Sequence, residues 1–246
     1  MGGKQSKTLI PVWGHEPLLY YILAGLRRAG VDDLIVVTGF AADSVQDYVT
    51  RIWGADDVKF VFNARYASWG NFHSVRMALE QSVGHPVMVV NSDVVVHPDV
   101  YKRTAEAEGD LILTVERRHN LDEEDMRVEL KGTRVLQIGK DLKLARSHGE
   151  YTGVSLLRPY AASIYQQIST ELEWHAATTG YYEDVYGMML DRVDARSVAV
   201  AEGEYAEVDD PRDLEAAAHV IRRFPDAWPE APAEQGEPEA AAAPHA

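Results

Sequence analysis

Cysteine is absent from the 246-residue chain. That excludes disulfides, thiolate nucleophiles and cysteine-ligated zinc, so any metal must be held by oxygen or imidazole. No apolar run reaches the roughly 18 residues that cross a bilayer, and Met1-Gly2-Gly3-Lys4 lacks the apolar stretch of a signal peptide. A soluble, cytoplasmic protein without a membrane partner is expected. Positive charge is also scarce, with 24 Lys and Arg against 39 Asp and Glu and a formal net charge of −15. A polyanion partner requires a basic surface to displace its counterions, so no nucleic-acid partner is expected. The nine histidines form no His-x-x-x-His pair suited to a metal.

Hydrophobic residues make up 46% of the chain, enough for one large core, and no linker interrupts the middle. From Pro225 the composition turns to Pro, Ala, Glu and Gly, which predicts a domain over residues 1–224 and a disordered tail over 225–246. Leu19, Ile22, Leu23 and Leu26 recur at helical spacing after Pro17, and Val45, Tyr48, Val49 and Ile52 do so farther on. Between and beyond them lie short, continuously apolar runs at Leu34–Val37, Val58–Phe62, Val87–Val90 and Leu111–Val115. The alternation predicts a doubly wound α/β sheet with sites beyond the carboxyl ends of its strands. Lys131-Gly132 then turns a hairpin, strands follow at Ser197–Val200 and Ala206–Val208, and helices at Ala161–Ile168, Glu183–Arg192 and from Pro211. The sheet is therefore expected to be mixed, though mainly parallel.

Two carboxylates stand at strand ends, Asp93 after Val87–Val90 and Asp209 after Val208. Mg²⁺ takes one or two protein carboxylates and fills its octahedron with water and substrate phosphate. The pair suits that need, and it reads equally as a turn residue and a helix cap. The run Asp122-Glu123-Glu124-Asp125 reads as a solvated turn rather than a calcium loop.

Several segments, in order, resemble the phosphocholine cytidylyltransferase group of the sugar-phosphate nucleotidyltransferases. They are Lys7-Thr8-Leu9-Ile10-Pro11-Val12 with Gly14-His15-Glu16-Pro17-Leu18-Leu19, Val37-Thr38-Gly39-Phe40, Asn91-Ser92-Asp93-Val94-Val95, Gly139-Lys140-Asp141-Leu142, Gly149-Glu150-Tyr151-Thr152-Gly153, Tyr182-Glu183-Asp184 and Glu207-Val208-Asp209-Asp210-Pro211. The resemblance implies a Rossmann-like, three-layer α/β/α fold of GT-A type. It also implies an Mg²⁺-dependent enzyme that joins a nucleoside monophosphate, CTP being the first candidate donor, to a small phosphorylated or phosphonylated acceptor. By that resemblance Asp93 and Asp209 hold the metal, Lys7 contacts the phosphates with Lys140 as a second cation, and Lys4, Gly39, Asn71 and Ser74 lie near the nucleotide. Lys140 reads equally as a solvated lysine, and Asn71 as a helix cap.

Glu150, Gly153, Glu183 and Asp184 match segments near the acceptor. Their carboxylates suit a cationic head group, with Tyr151, Tyr181 and Tyr182 as candidate cage aromatics. Glu183 and Asp184 serve equally well as acidic residues at a helix N-terminus. Trp69 either covers the site or packs. A homodimer is compatible with the reading.

Members of that group begin with an apolar strand running into Ala-Ala-Gly-x-Gly-x-Arg, whereas Met1-Gly2-Gly3-Lys4 begins where such a loop ends. The expectation is a start lying upstream, about fifteen residues earlier. The alternatives are a nucleotide-binding pseudoenzyme without its phosphate loop, or a glycosyltransferase of related fold.

Overall fold

The computed structural model describes residues 6–118 and 120–228, so Lys4 and the residues from 229 onward, including most of the expected tail, lie outside the described residues. The described chain opens with a short antiparallel ladder of β1 (Pro11–Trp13) and β2 (Glu16–Pro17), turned by Gly14 at φ +61°. In α1 (Leu18–Arg28) every residue from Leu18 to Leu26 is buried, so this helix runs through the core and surfaces only at its basic end. There Arg27 donates to the carbonyls of Ile52 and Trp53, which close α2 (Ala42–Trp53). The terminal carbonyls of α2 thereby gain the partners its own ladder cannot supply. The helix α2 is the crossover between β3 (Leu34–Thr38) and β4 (Val58–Phe62), which pair in parallel from Leu34↔Val58 to Thr38↔Phe62.

The remaining elements are α3 (Phe72–Leu79), β5 (Val87–Val90), β6 (Val94–Val96), α4 (Pro98–Glu106), β7 (Leu111–Glu116), β8 (Arg127–Lys131), β9 (Arg134–Gly139), β10 (Gly149–Leu157), α5 (Pro159–Trp174), α6 (Tyr182–Met189), β11 (Ala195–Val200), β12 (Tyr205–Glu207) and α7 (Leu214–Arg223). A six-stranded sheet runs in the order β5-β10-β7-β11-β9-β8. It is mixed, as expected, but its balance is not. Among the described ladders only β3–β4 and β7–β11 are parallel. The reason is β10, which runs antiparallel to β5, β7 and β8 at once. This strand is buried along all of Gly149–Leu157, yet its Gly-Glu-Tyr-Thr-Gly opening carries none of the apolar signal of a central strand.

Two apolar clusters hold the layers together. One gathers α1, β6 and α7 with parts of α2, and the other packs β7–β10 against α3, α5 and α6. The first extends past the expected boundary at Phe224. Trp228 is buried, donates its Nε1 to the Tyr21 carbonyl at 3.2 Å and meets the Tyr21 ring edge-on. Among the described residues no helix is long and apolar enough to cross a membrane.

Candidate active site

The antiparallel ladder of β6 and β12 decides where the acidic residues meet. Val94 pairs with Glu207, and the Val208 N–H donates to the Asp93 carbonyl at 2.8 Å. Asp93 immediately precedes one strand and Asp209 follows the other by two residues, so both carboxylates emerge at the same end. Glu207 joins them, with one oxygen of each of the three residues within 4.8 Å of the others. The sequence assigns Glu207 no role, although the signal was there: residues two apart in extended chain share a face, so Glu207 and Asp209 point the same way.

Lys7 lies across this group, its Nζ 3.0 Å from Asp209 Oδ1 and 3.5 Å from Asp93 Oδ2. Burial pulls its pKa down, but the hydrogen bonds and charges of Asp209 and Asp93 outweigh it and leave the ammonium above the ordinary lysine value. Glu207 moves up, through burial first and then the charges of Asp93 and Asp209. Asp93 Oδ1 is buried without a hydrogen-bond partner. An all-oxygen donor set with an unsatisfied buried carboxylate oxygen fits a hard divalent cation such as Mg²⁺.

A second group forms where β5 ends beside β10 and α6. Gly153, at φ +78°, gives β10 a bend, and a Cβ there would lie 2.9 Å from the Asn91 Nδ2. The Tyr182 hydroxyl donates to Asn91 Oδ1 at 2.7 Å and lies 3.0 Å from the Tyr151 hydroxyl, while the Tyr182 N–H donates to Asn71 Oδ1 at 2.9 Å. Asn71 thus receives the first N–H of α6 instead of capping its own helix. Tyr151 and Tyr182 are buried and Tyr181 is half exposed, so the three do not form a cage.

Glu183 is 5% exposed with an unpartnered Oε2. Burial pushes it up to about 7; its own backbone N–H and Tyr182 oppose the shift, and Asp184 and Asp93 add to it. Glu150 is likewise buried and pushed up to about 8, by desolvation against the Arg118 charge, with Asp125 and Glu207 adding to the rise. Arg118 binds Asp125 at 2.6 Å and stands 2.8 Å from Glu150.

Other candidates are engaged elsewhere. Asp184 caps α6 by accepting from the Tyr181 N–H at 2.7 Å, the helix-terminus role that its position allowed. Lys140 pairs with exposed Glu124 at 3.5 Å and faces the Tyr181 ring, without contacting the carboxylate group. Ser74 accepts from Asn63 Nδ2, and Tyr66 lies against Gly39 so closely that no Cβ fits, so both brace the ends of β3 and β4. Trp69 packs, stacked on Phe72 with Arg65 over its ring at 4.0 Å. Asp122 and Asp125 close a turn on their own backbone, with Asp125 tied to Arg118.

Residues 1–163 match the sequence profile of the MobA-like NTP transferase domain, which is more than half of the chain. The chain belongs to this family. It is 32% identical over 75 residues to the choline-phosphate cytidylyltransferase of Streptococcus pneumoniae (strain ATCC BAA-255 / R6), covering 30% of this chain and 31% of that protein. It is 30% identical over 104 residues to the CMP-5'-(3-aminopropyl)phosphonate synthase of Streptomyces rubellomurinus (strain ATCC 31215), covering 42% of this chain and 16% of that protein. The chain therefore spans about a third and about a sixth of the lengths of these curated relatives. The inositol-1-phosphate CTP transferase from T. maritima superposes with a TM-score of 0.74 at 19% identity, covering 89% of each chain. The CTP:phosphocholine cytidylyltransferase from Streptococcus pneumoniae gives 0.68 at 19% identity, covering 87% of this chain and 89% of that one. These structural likenesses show a Rossmann-like α/β fold shared with solved nucleotidyltransferases.

Proposed function

We propose that the chain transfers a nucleoside monophosphate, CMP from CTP first, to a small phosphorylated or phosphonylated metabolite and releases pyrophosphate. The observation that carries the reading is the convergence of Lys7, Asp93, Glu207 and Asp209 at the end of the β6–β12 ladder. An acceptor oxygen attacks the α-phosphorus in line, the bond to the bridging oxygen breaks, and negative charge grows on the leaving and nonbridging oxygens. Stabilising that charge needs fixed cations and no covalent enzyme intermediate.

Asp93 and Asp209, with Glu207 beside them, are the residues that would hold Mg²⁺, and when bound the ion supplies Lewis-acid stabilisation of the phosphoryl oxygens. Lys7 offers a second positive charge, its ammonium held above the ordinary lysine value by the carboxylates it touches. Lys140 is the further cation in this proposal. Its long, exposed pair with Glu124 contributes little, so turning toward phosphate costs little.

The acceptor side is assigned to Gly153, Glu150, Glu183 and their neighbours. The unpartnered Oε2 of Glu183 favours an acceptor with a cationic head, since opposite charges attract most where water is excluded. Phosphocholine and aminoalkylphosphonates, the chemistry named for the two curated relatives, therefore come before sugar 1-phosphates and cyclitol phosphates. A cytoplasmic location and a homodimer belong to the same proposal.

The test crosses four nucleoside triphosphates with these acceptors in Mg²⁺ buffer and reads pyrophosphate release. Release with CTP and one acceptor is the expected result. Binding without release in any pair contradicts catalysis, and transfer from a nucleoside-diphosphate sugar without release points to a glycosyltransferase.

A further inference from the structure

Asn91 is clamped from two sides. Its Oδ1 accepts the Tyr182 hydroxyl at 2.7 Å, and the Tyr151 hydroxyl, 3.0 Å from that of Tyr182, extends the chain into the core. On the other side the Gly153 backbone presses on the amide, so closely that an added Cβ would stand 2.9 Å from Nδ2 and 3.0 Å from Cγ. Tyr182 is itself held in place: the residue is 2% exposed, its ring packs edge-on against Tyr151 and Tyr186, and its N–H is held by Asn71. With one Oδ1 lone pair taken by the Tyr182 hydroxyl, the orientation of the amide is set and its NH₂ group is left to donate. Among the described residues that Nδ2 has no hydrogen-bond partner, and it is not one of the buried orphan atoms of the core. It stands two residues before Asp93, beyond the carboxyl end of β5.

We propose that Asn91 Nδ2 donates to a phosphoryl or phosphonyl oxygen of a bound substrate, and that Tyr182 positions it by holding Oδ1. The proposal rests on the transfer reading above for its choice of ligand. A fixed neutral donor suits an anionic oxygen and has nothing to offer a cationic head, so Asn91 complements Glu183 rather than duplicating it. Because the orientation is set before binding, little side-chain freedom is lost when the hydrogen bond forms.

The experiment follows the Asn91 side-chain amide of the full-length ¹⁵N-labelled protein by NMR, assigned through its loss in Asn91→Leu. Methylphosphonate is titrated in one arm and CTP in the other, both with Mg²⁺. The Asn91 NH₂ pair is expected to shift to saturation in at least one arm. A shift with methylphosphonate places the contact on the acceptor, and a shift with CTP alone places it on the nucleotide. Tyr182→Phe removes only the hydroxyl and should weaken binding in the responsive arm on the order of tenfold, as expected for one hydrogen bond to a charged group. Backbone resonances away from Asn91 should stay in place.

An unmoved Asn91 pair in both arms overturns the proposal, as does a folded Tyr182→Phe variant that binds like the wild type. Should that variant fail to fold, the wild-type titration decides alone. A shifting Asn91 pair in a protein that releases no pyrophosphate with any substrate pair would sink the transfer reading and leave this one standing.

Discussion

Gly70 lies against Gly180 so closely that a Cβ on Gly70 would stand 1.9 Å from the Gly180 carbonyl oxygen. The Gly70 N–H donates to the Thr178 carbonyl at 2.7 Å, and Glu173 pairs with both Arg65 and Arg76. The turn before α3 is thereby joined to the segment between α5 and α6, and the Asn71–Tyr182 contact sits on that seam. Gly70→Ala places an atom inside backbone that cannot yield locally. We expect a loss of about 1–3 kcal/mol or more, read as a lower Tm, while Gly84→Ala, whose Cβ would meet nothing within 4 Å, pays only for its positive φ. Equal melting of Gly70→Ala and the wild type would mean that the seam is looser than the structure shows.

Asp93→Asn and Asp209→Asn each remove one negative oxygen from the group that Lys7 touches. Turnover should fall on the order of a hundredfold or more in each, with the fold retained. Glu207→Gln should also slow the reaction, which tests a residue that strand alternation places on the same face as Asp209. Near-normal rates at saturating nucleotide and modest Mg²⁺ would remove the substituted residue from the catalytic group.

The fold was most legible where pattern and burial coincide. The apolar strands expected at 34–37 and 58–62 and the hairpin around Gly132 lie where the sequence puts them, the first running one residue longer to Thr38. Less legible was β10, because its glycines and polar residues satisfy bends and buried hydrogen bonds, such as that between Thr152 and Thr114, instead of an apolar face. The pairing of Asp93 with Asp209 was visible as a motif resemblance, but their contact depends on the long-range β6–β12 ladder, and β6, only three residues long, carries no periodicity to read. Arg118, which binds Asp125 and stands beside Glu150, was missed because its two acidic partners lie on separate elements.

Glu183 links stability to pH. Its folded-state pKa of about 7 lies above the ordinary 4.5, through burial first. The folded state therefore binds this proton more tightly, and the stabilisation is complete below about pH 4.5 and lost as pH rises through about 7. The wild type should lose stability between pH 5 and 8 by an amount that Glu183→Gln reduces by on the order of 3 kcal/mol. Urea unfolding at pH 5, 6.5 and 8 checks this. Parallel profiles for the two proteins would show that Glu183 ionises as an ordinary surface carboxyl.

Trp228 tests where the folded unit ends. Trp228→Ala removes a buried ring and leaves the Tyr21 carbonyl without its donor, and should cost about 3 kcal/mol or more. A change within about 0.5 kcal/mol, the range of an ordinary surface substitution, would place the boundary back at Phe224.

The proposed transfer makes a new phosphorus–oxygen–phosphorus link between two substrates, and ³¹P NMR observes that link directly. Incubating the protein with CTP, Mg²⁺ and each of phosphocholine, 2-aminoethylphosphonate, glucose 1-phosphate and inositol 1-phosphate should consume the α-, β- and γ-signals of CTP together. In their place should come one inorganic pyrophosphate and one mixed anhydride joining the α-phosphorus to the acceptor, for one acceptor above the rest, and both products should form on the order of a hundredfold more slowly in Asp93→Asn. CTP that survives unchanged with every acceptor, or that yields CMP and pyrophosphate without the mixed anhydride, would contradict the account.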